Sequence, residues 1–384
     1  MTSTIQRDRT TWLAYAMLAF YAYCLNSLGP LTPFLKSELD ISYSVSSLHF
    51  TAFAIGIIGA GLGGHLLIER FGRDRTLWLG AFGMSVGALL LLIGRDPLLT
   101  IGSSFVMGLV GSLILAIVPA ALTDRHGERR AVALSEANLL AAIVSTAAPL
   151  LIGWFARSAL GWRFGLGLVA FAPVVMFLLL RQGSAAAPGA SHPESERTQG
   201  SLPGLYWVYW AAMVLGVAIE FCMVFWSADF LENVRALSKA DAAQAVSLFF
   251  VGMIAGRLLG SRLVLRFSTR TVVIGSLVIA GLGFGLYWVA PGVALALIGL
   301  LLTGLGVASL YPLIMSLAIG AAGPHVVQAS ARATLASGVA ISILPLVLGR
   351  IADSVGIAWA YGVVALLIVA TLAIVGLVRA DGRT

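Results

Sequence analysis

Glu220 stands in the apolar run GVAIEFCMVF (216–225) and is the only acid deep in any long apolar stretch of the chain. An isolated carboxylate in such surroundings is costly unless it is paired, hydrogen-bonded or neutral. That makes it a candidate proton carrier, able to hold a proton in one conformation and release it when water reaches it. A sodium site is less favoured, because no second acid lies close in sequence to share the cation's charge. A permanently neutral, structural glutamate is the alternative. Arg257, inside GMIAGRLLGSR (252–262), is the matching oddity on the basic side. Glu136, in ALSEANLL (133–140), sits about one turn into another apolar run. Glu69, Arg70, Arg73, Asp74 and Arg75 crowd into GHLLIERFGRDR (64–75), and a relative, GSRLVLRFSTRT, appears at 260–271. Other chemistry is not suggested. There is no Gly-x-x-x-x-Gly-Lys loop to cradle a nucleotide and no His, Asp or Glu cluster with metal spacing. The two cysteines, Cys24 and Cys222, lie in different apolar runs and suit packing better than a disulfide. No cofactor and no enzymatic activity are expected.

The elements that must hold these residues are set by composition. Hydrophobic residues make up 59% of the 384 residues and charged ones 11%, with a mean hydropathy of +0.96. A soluble chain carries about a quarter charged residues. Twelve continuous apolar runs, at about 11–35, 46–68, 76–94, 98–122, 132–156, 162–181, 205–230, 242–264, 271–290, 293–319, 331–352 and 357–378, are each long enough to cross a bilayer core of roughly 30 Å as a helix. They do not alternate as barrel strands would. The expected fold is all-α, with twelve spans. The first ten residues are polar and no cleavage site follows a short apolar core, so span one is expected to be retained. Glu220 then falls about 4 Å from the bilayer midplane.

Basic residues set the orientation. Alternate gaps on one side carry Arg7, Arg9, Arg70, Arg73, Arg75, Arg125, Arg129, Arg130, Arg181, Arg197, Arg262, Arg266, Arg270, Arg332, Arg379 and Arg383. The other side carries only Lys36, Arg95, Arg157, Arg163, Arg235, Lys239 and Arg350. The richer side is the cytoplasm, with both termini. The +7 net charge is therefore a topology signal, and a nucleic-acid partner is not expected.

The chain also repeats itself. A polar stretch rich in Ser, Pro, Gly and Ala (182–203) divides an N-terminal bundle, 1–181, from a C-terminal bundle, 204–384, and reads as a cytoplasmic linker. Adding 196 takes Gly56 to Gly252, Gly64 to Gly260, Arg70 to Arg266, Gly108 to Gly304, and APLLIGWFA (148–156) to LPLVLGRIA (344–352). Six spans per repeat means a parallel repeat about the membrane normal.

Twelve spans, the 6+6 repeat, the long central loop and GHLLIERFGRDR together resemble the major facilitator superfamily over the whole chain. The family's loop between spans two and three reads Gly-x-Leu-Ala-Asp-Arg-x-Gly-Arg-Arg. Here His65, Leu67, Ile68, Glu69, Arg70, Gly72, Arg73 and Asp74 stand at its positions, with His65 in place of the glycine, Glu69 of the aspartate and Asp74 of the last arginine. The second copy keeps Arg266 but has Leu265 at the acidic position. The resemblance implies that Glu69, with Arg70 and Arg73, meets the start of span eleven and closes the cytoplasmic side, where Arg332 is its expected partner. It also implies that span five packs on span eight, so Glu136 is expected to pair with Arg257 or Arg262. The alternative is that Arg257 binds an anionic substrate. Spans one, four, seven and ten would surround the solute, with Asn26, Tyr23, Ser112, Phe225, Trp226 and Tyr311 as candidate lining. Drug antiporters of the family have a Gly-Pro motif in span five and an Arg in span four. Here Ala148-Pro149, with Val144 upstream, and Ser104 stand there instead.

The expected function is a secondary active transporter of the bacterial cytoplasmic membrane. It would be a monomer among membrane lipids, moving a small solute by alternating access with proton coupling. A drug or amphiphile efflux antiporter and a non-transporting membrane sensor are the alternatives. The sequence does not name the solute.

Overall fold

The computed structural model describes residues 7–181 and 201–378, with the side chains of Val327, Ala331 and Thr334 left aside. The linker expected at 182–203 therefore lies mostly outside the described residues, as do Arg197, Arg379 and Arg383. Among the described residues the chain is helical, without strands. In order the helices are α1 (Arg9–Leu39), α2 (Tyr43–Phe71), α3 (Arg73–Ile93), α4 (Pro97–Gly111), α5 (Leu113–His126), α6 (Arg130–Ala156), α7 (Arg163–Ala170), α8 (Ala172–Leu180), α9 (Gly204–Arg235), α10 (Lys239–Leu263), α11 (Thr269–Val289), α12 (Val293–Val307), α13 (Leu310–Ala321), α14 (Val326–Val355), α15 (Ile357–Ala360) and α16 (Gly362–Leu377). Ten described stretches are long and apolar enough to cross a membrane. One of them, Pro97–Ala156, runs through α4, α5 and α6 for 60 residues. At 1.5 Å per residue that is about 90 Å, more than a single crossing needs. The α1 helix is not among the ten.

Polar residues punctuate the apolar runs. Asp8, Ser42, Asp96 and Ser268 accept hydrogen bonds from the first turns of α1, α2, α4 and α11. The turn inside GHLLIERFGRDR is made by Gly72, whose φ of 78° suits glycine and whose N–H caps the Ile68 carbonyl. Asp74 falls in the first turn of α3, where a negative charge is favourable.

Two compact units result: Met1–Pro193 with Ser238–Gln244, and Glu194–Leu237 with Ala245–Thr384. In the first, α1 packs on α6, and α4 on both α2 and α3; in the second, α9 packs on α14, and α11 on α12. The repeat is visible atom by atom. A Cβ on Gly108 would lie 2.1 Å from the Phe53 carbonyl oxygen, and one on Gly304 would lie 2.1 Å from that of Phe249. Gly56 against Leu109 and Gly252 against Leu305 complete the same crossing 196 residues apart. Small residues let the backbones touch where no aqueous hydrophobic drive operates.

Residues 238–244 group with the first unit for a physical reason. Gly153 leaves room for the Ala240 carbonyl and Gln244, Arg157 holds Asp241 and Gln244, and Lys239 reaches Ser37. Both units also carry a broken span. The α4 helix stops at Gly111 and α5 restarts at Leu113, with Ser112 between them at φ −68°, ψ −11°. The α12 helix stops at Val307 and α13 restarts at Leu310, with Ser309 at φ −100°, ψ −3°.

Candidate functional site

Glu220 lies on α9 and is half-buried. The charge that acts on its carboxylate is the guanidinium of Arg257, on α10 in the same unit. Arg257 is exposed on the surface of its helix. An acid and a guanidinium within electrostatic reach, both on apolar helices, can exist as a charged pair or as a protonated acid beside a free cation. Tyr311, half-buried at the start of α13, makes no hydrogen bond among the described residues.

Glu136 does not pair as the sequence suggested. Its carboxylate accepts from Arg7 twice, at 2.9 and 2.7 Å, and from the Tyr15 hydroxyl at 2.9 Å. The reason is proximity within one unit. The N-cap of α1 places Arg7 beside the start of α6, and a guanidinium fork matches a carboxylate better than a distant cation does. Asp8 continues this cluster to Arg125, and Thr11 reaches His126 Nε2 at 3.0 Å. Arg257, offered by the sequence as partner of Glu136 or ligand of an anion, makes no ion pair among the described residues, and the Glu220 carboxylate lies within its electrostatic reach.

Three candidate lining residues are buried against neighbouring side chains and backbone. The Tyr23 side chain is 1% exposed and its hydroxyl donates to the Gly165 carbonyl at 2.7 Å. The Trp226 indole donates to the Pro345 carbonyl at 3.1 Å and is fully buried. Phe225 is fully buried, with its ring 5.2 Å from Phe221. Of the remaining three, Asn26 donates to the Ala22 carbonyl and to Ser145 Oγ, each at 2.9 Å. Ser112 lies 3.5 Å from the Tyr21 hydroxyl at the α4–α5 break. Tyr311 stays unengaged. Among the loop charges, Arg73 pairs with Asp124, and Arg70 lies 5.5 Å from the Phe71 ring. Glu69 is exposed at the end of α2. In the other unit, Arg332 lies 5.2 Å from the Trp207 ring.

One cluster had no sequence signal beyond residue type. Glu38, past the apolar stretch of α1, accepts from Trp162 at 2.7 Å, Arg163 at 2.8 Å and Arg95 at 3.3 Å. Burial pushes this carboxyl up. The hydrogen bonds from Arg163 and Trp162 and the two positive charges outweigh burial and hold it below its ordinary value.

A family model described as Major Facilitator Superfamily matches residues 11–244 and 208–383. The chain belongs to the Major Facilitator Superfamily. It is a secondary transporter and a multi-pass protein of the cytoplasmic membrane. A putative metabolite transport protein of Bacillus subtilis is 25% identical over 161 residues, 42% of this chain and 35% of that protein. A glucose/galactose transporter of Brucella abortus is 27% identical over 368 residues, 88% of this chain and 86% of that one. The nucleoside transporter NupG, in a crystal structure of a mutant form, superposes with a TM-score of 0.79 over 96% of this chain and 100% of that one, at 13% identity. The superposition shows the shared fold.

Proposed function

We propose that this superfamily member moves a small, uncharged polar solute with a proton, through twelve spans and with both termini in the cytoplasm. The observation that carries the reading is the half-buried Glu220 on α9, with the guanidinium of Arg257 on α10 within electrostatic reach of its carboxylate. Protonation of Glu220 would remove the negative charge that faces Arg257, and deprotonation would restore it, so one proton switches the charge that the solute path meets. Asn26, Ser112 and Tyr311 supply hydrogen-bonding groups of the kind a hydroxylated solute needs, and the similarity to a glucose/galactose transporter supports that class. The span count is supported by the 60-residue stretch, read as two crossings, and by α1, read as a crossing.

The test uses purified protein in proteoliposomes with a panel of sugars and nucleosides. Glu220→Gln is expected to abolish accumulation driven by a pH difference while keeping gradient-free exchange. If Glu220→Gln still concentrates solute under the same pH difference, the coupling assignment fails.

A further inference from the structure

A cavity of about 570 Å³ opens at the start of α11, entirely within the second unit. Its lining includes Ser268, Thr269, Arg270, Ile274, Leu317 and Tyr209. It lies in GSRLVLRFSTRT, the stretch whose first-half copy makes the charged loop. Four features converge on it. The first two N–H groups of α11, those of Thr269 and Arg270, have no intrahelical acceptor and carry the positive end of the helix dipole. Ser268 has already capped Thr271 N and contacts Thr271 Oγ1 at 2.8 Å, which fixes the turn. Arg270 spends Nε and Nη2 on the carbonyls of Val375 and Gly376, the last turn of α16, and Nη1 has no acceptor among the described residues. Tyr209 is the independent observation. It is 7% exposed, lines the cavity, and its hydroxyl has no hydrogen-bond partner among the described residues. With the rest of the side chain buried and no partner for its hydroxyl among the described residues, Tyr209 is held in place to donate to a group bound in the cavity.

Two free helix N–H groups, a spare guanidinium edge and a phenol donor all want an acceptor carrying several oxygens and negative charge. A phosphoryl group meets that demand. Ile274 and Leu317 form an apolar wall beside the donors, and Leu265 and Phe267, in the loop just before α11, are 83% and 54% exposed. An apolar wall is wasted on a free anion and suits an acyl chain. We propose that the cleft at the start of α11 binds the phosphoryl headgroup of an anionic phospholipid. Arg262, in the last turn of α10, and Arg266, in the loop before α11, add long-range attraction for an anionic leaflet.

The test is native mass spectrometry of the full chain in detergent, titrated separately with dioleoyl-phosphatidylglycerol and with inorganic phosphate. Tyr209→Phe removes one oxygen and keeps the ring, and Thr269→Val keeps the shape of its side chain. The expected result is saturable phosphatidylglycerol binding that Tyr209→Phe weakens about fivefold or more, the loss of one hydrogen bond to a charged group. Thr269→Val leaves the helix N–H donor in place, so it is expected to bind phosphatidylglycerol as the wild type does and to show that the loss in Tyr209→Phe is specific. Unchanged thermal melting in both variants keeps the comparison one of binding. Equal phosphatidylglycerol binding by wild type and both variants overturns the site. Binding of inorganic phosphate alone, with the same Tyr209 dependence, overturns the lipid as its occupant.

Discussion

The two units carry the same helix crossings and different polar chemistry. In the first unit, polar side chains hold one another: Glu136 with Arg7 and Tyr15, Asp8 with Arg125, Arg73 with Asp124, and Glu38 with Arg95, Trp162 and Arg163. In the second, described polar side chains mostly hold backbone: Tyr206 to Ala329, Trp210 to Arg332, Trp226 to Pro345, Arg235 to Tyr287 and Trp288, Trp288 to Ala358, and Arg270 to Val375 and Gly376. One position shows the divergence directly. The end of α3 at Leu92 and its repeat mate on α11, Trp288, both have their carbonyl capped by an arginine. In the first unit the arginine is Arg163 from α7, and in the second it is Arg235 from α9. The same need, a cation at a helix C-terminus, is met from different elements. Duplication therefore preserved what sterics demand and left the hydrogen-bonding free to change. It also left Glu220 and Arg257 in a unit where polar side chains chiefly serve the backbone, which makes these two charges on apolar helices stand out.

The largest effect is expected where the units agree. Gly108→Ala and Gly304→Ala each drive a methyl to 2.1 Å from a carbonyl oxygen of the facing helix. Both should lose folded protein, at a cost of about 1–3 kcal/mol or more from overpacking. Thermal melting in detergent reads this, and tolerance of one but not the other would break the equivalence of the crossings. Next come Arg163→Leu and Arg235→Leu. Each uncaps a helix end, at about 1–2 kcal/mol, and Arg163→Leu also strips a donor from Glu38. The first should destabilise more, and equal shifts in melting temperature would mean that the Glu38 cluster contributes nothing. The smallest effect is pH dependence at Glu38. Its folded carboxyl titrates below its ordinary value, so its stabilisation is complete above the unfolded value of about 4.3 and is lost as pH falls through the folded one. Melting temperature should drop on acidification below about pH 4.3, and Glu38→Gln should flatten that slope; an unchanged slope refutes the cluster.

The helices and the repeat were legible because charge is scarce and therefore marks every turn, and because the 196-residue offset preserved the glycines that touch backbone. The pairing of Glu136 was not legible. Its partner Arg7 lies 129 residues away in a polar leader, and nothing in the spacing of ALSEANLL points there. The burial of Tyr23 and Trp226 was not legible for another reason. A helix apolar all round gives no sign of which face meets lipid, a neighbouring helix or water, so an aromatic that ties down a backbone carbonyl looks the same as one that lines a path. Glu220 stood out because a lone acid in an apolar run has few places to go. Arg257 as its neighbour required the fold.

The break at Ser112 and its counterpart at Ser309 make each of those spans two short rods with a joint rather than one long beam. A beam resists bending along its whole ladder of hydrogen bonds, and flexing it costs energy at every rung. A joint has already given up those rungs, so it concentrates compliance at one depth. Because the second joint lies almost one repeat length from the first, each unit is expected to soften at the corresponding point of its own repeat. Within either bundle a load would then be taken up at the joint, and the remaining turns would move as stiff segments.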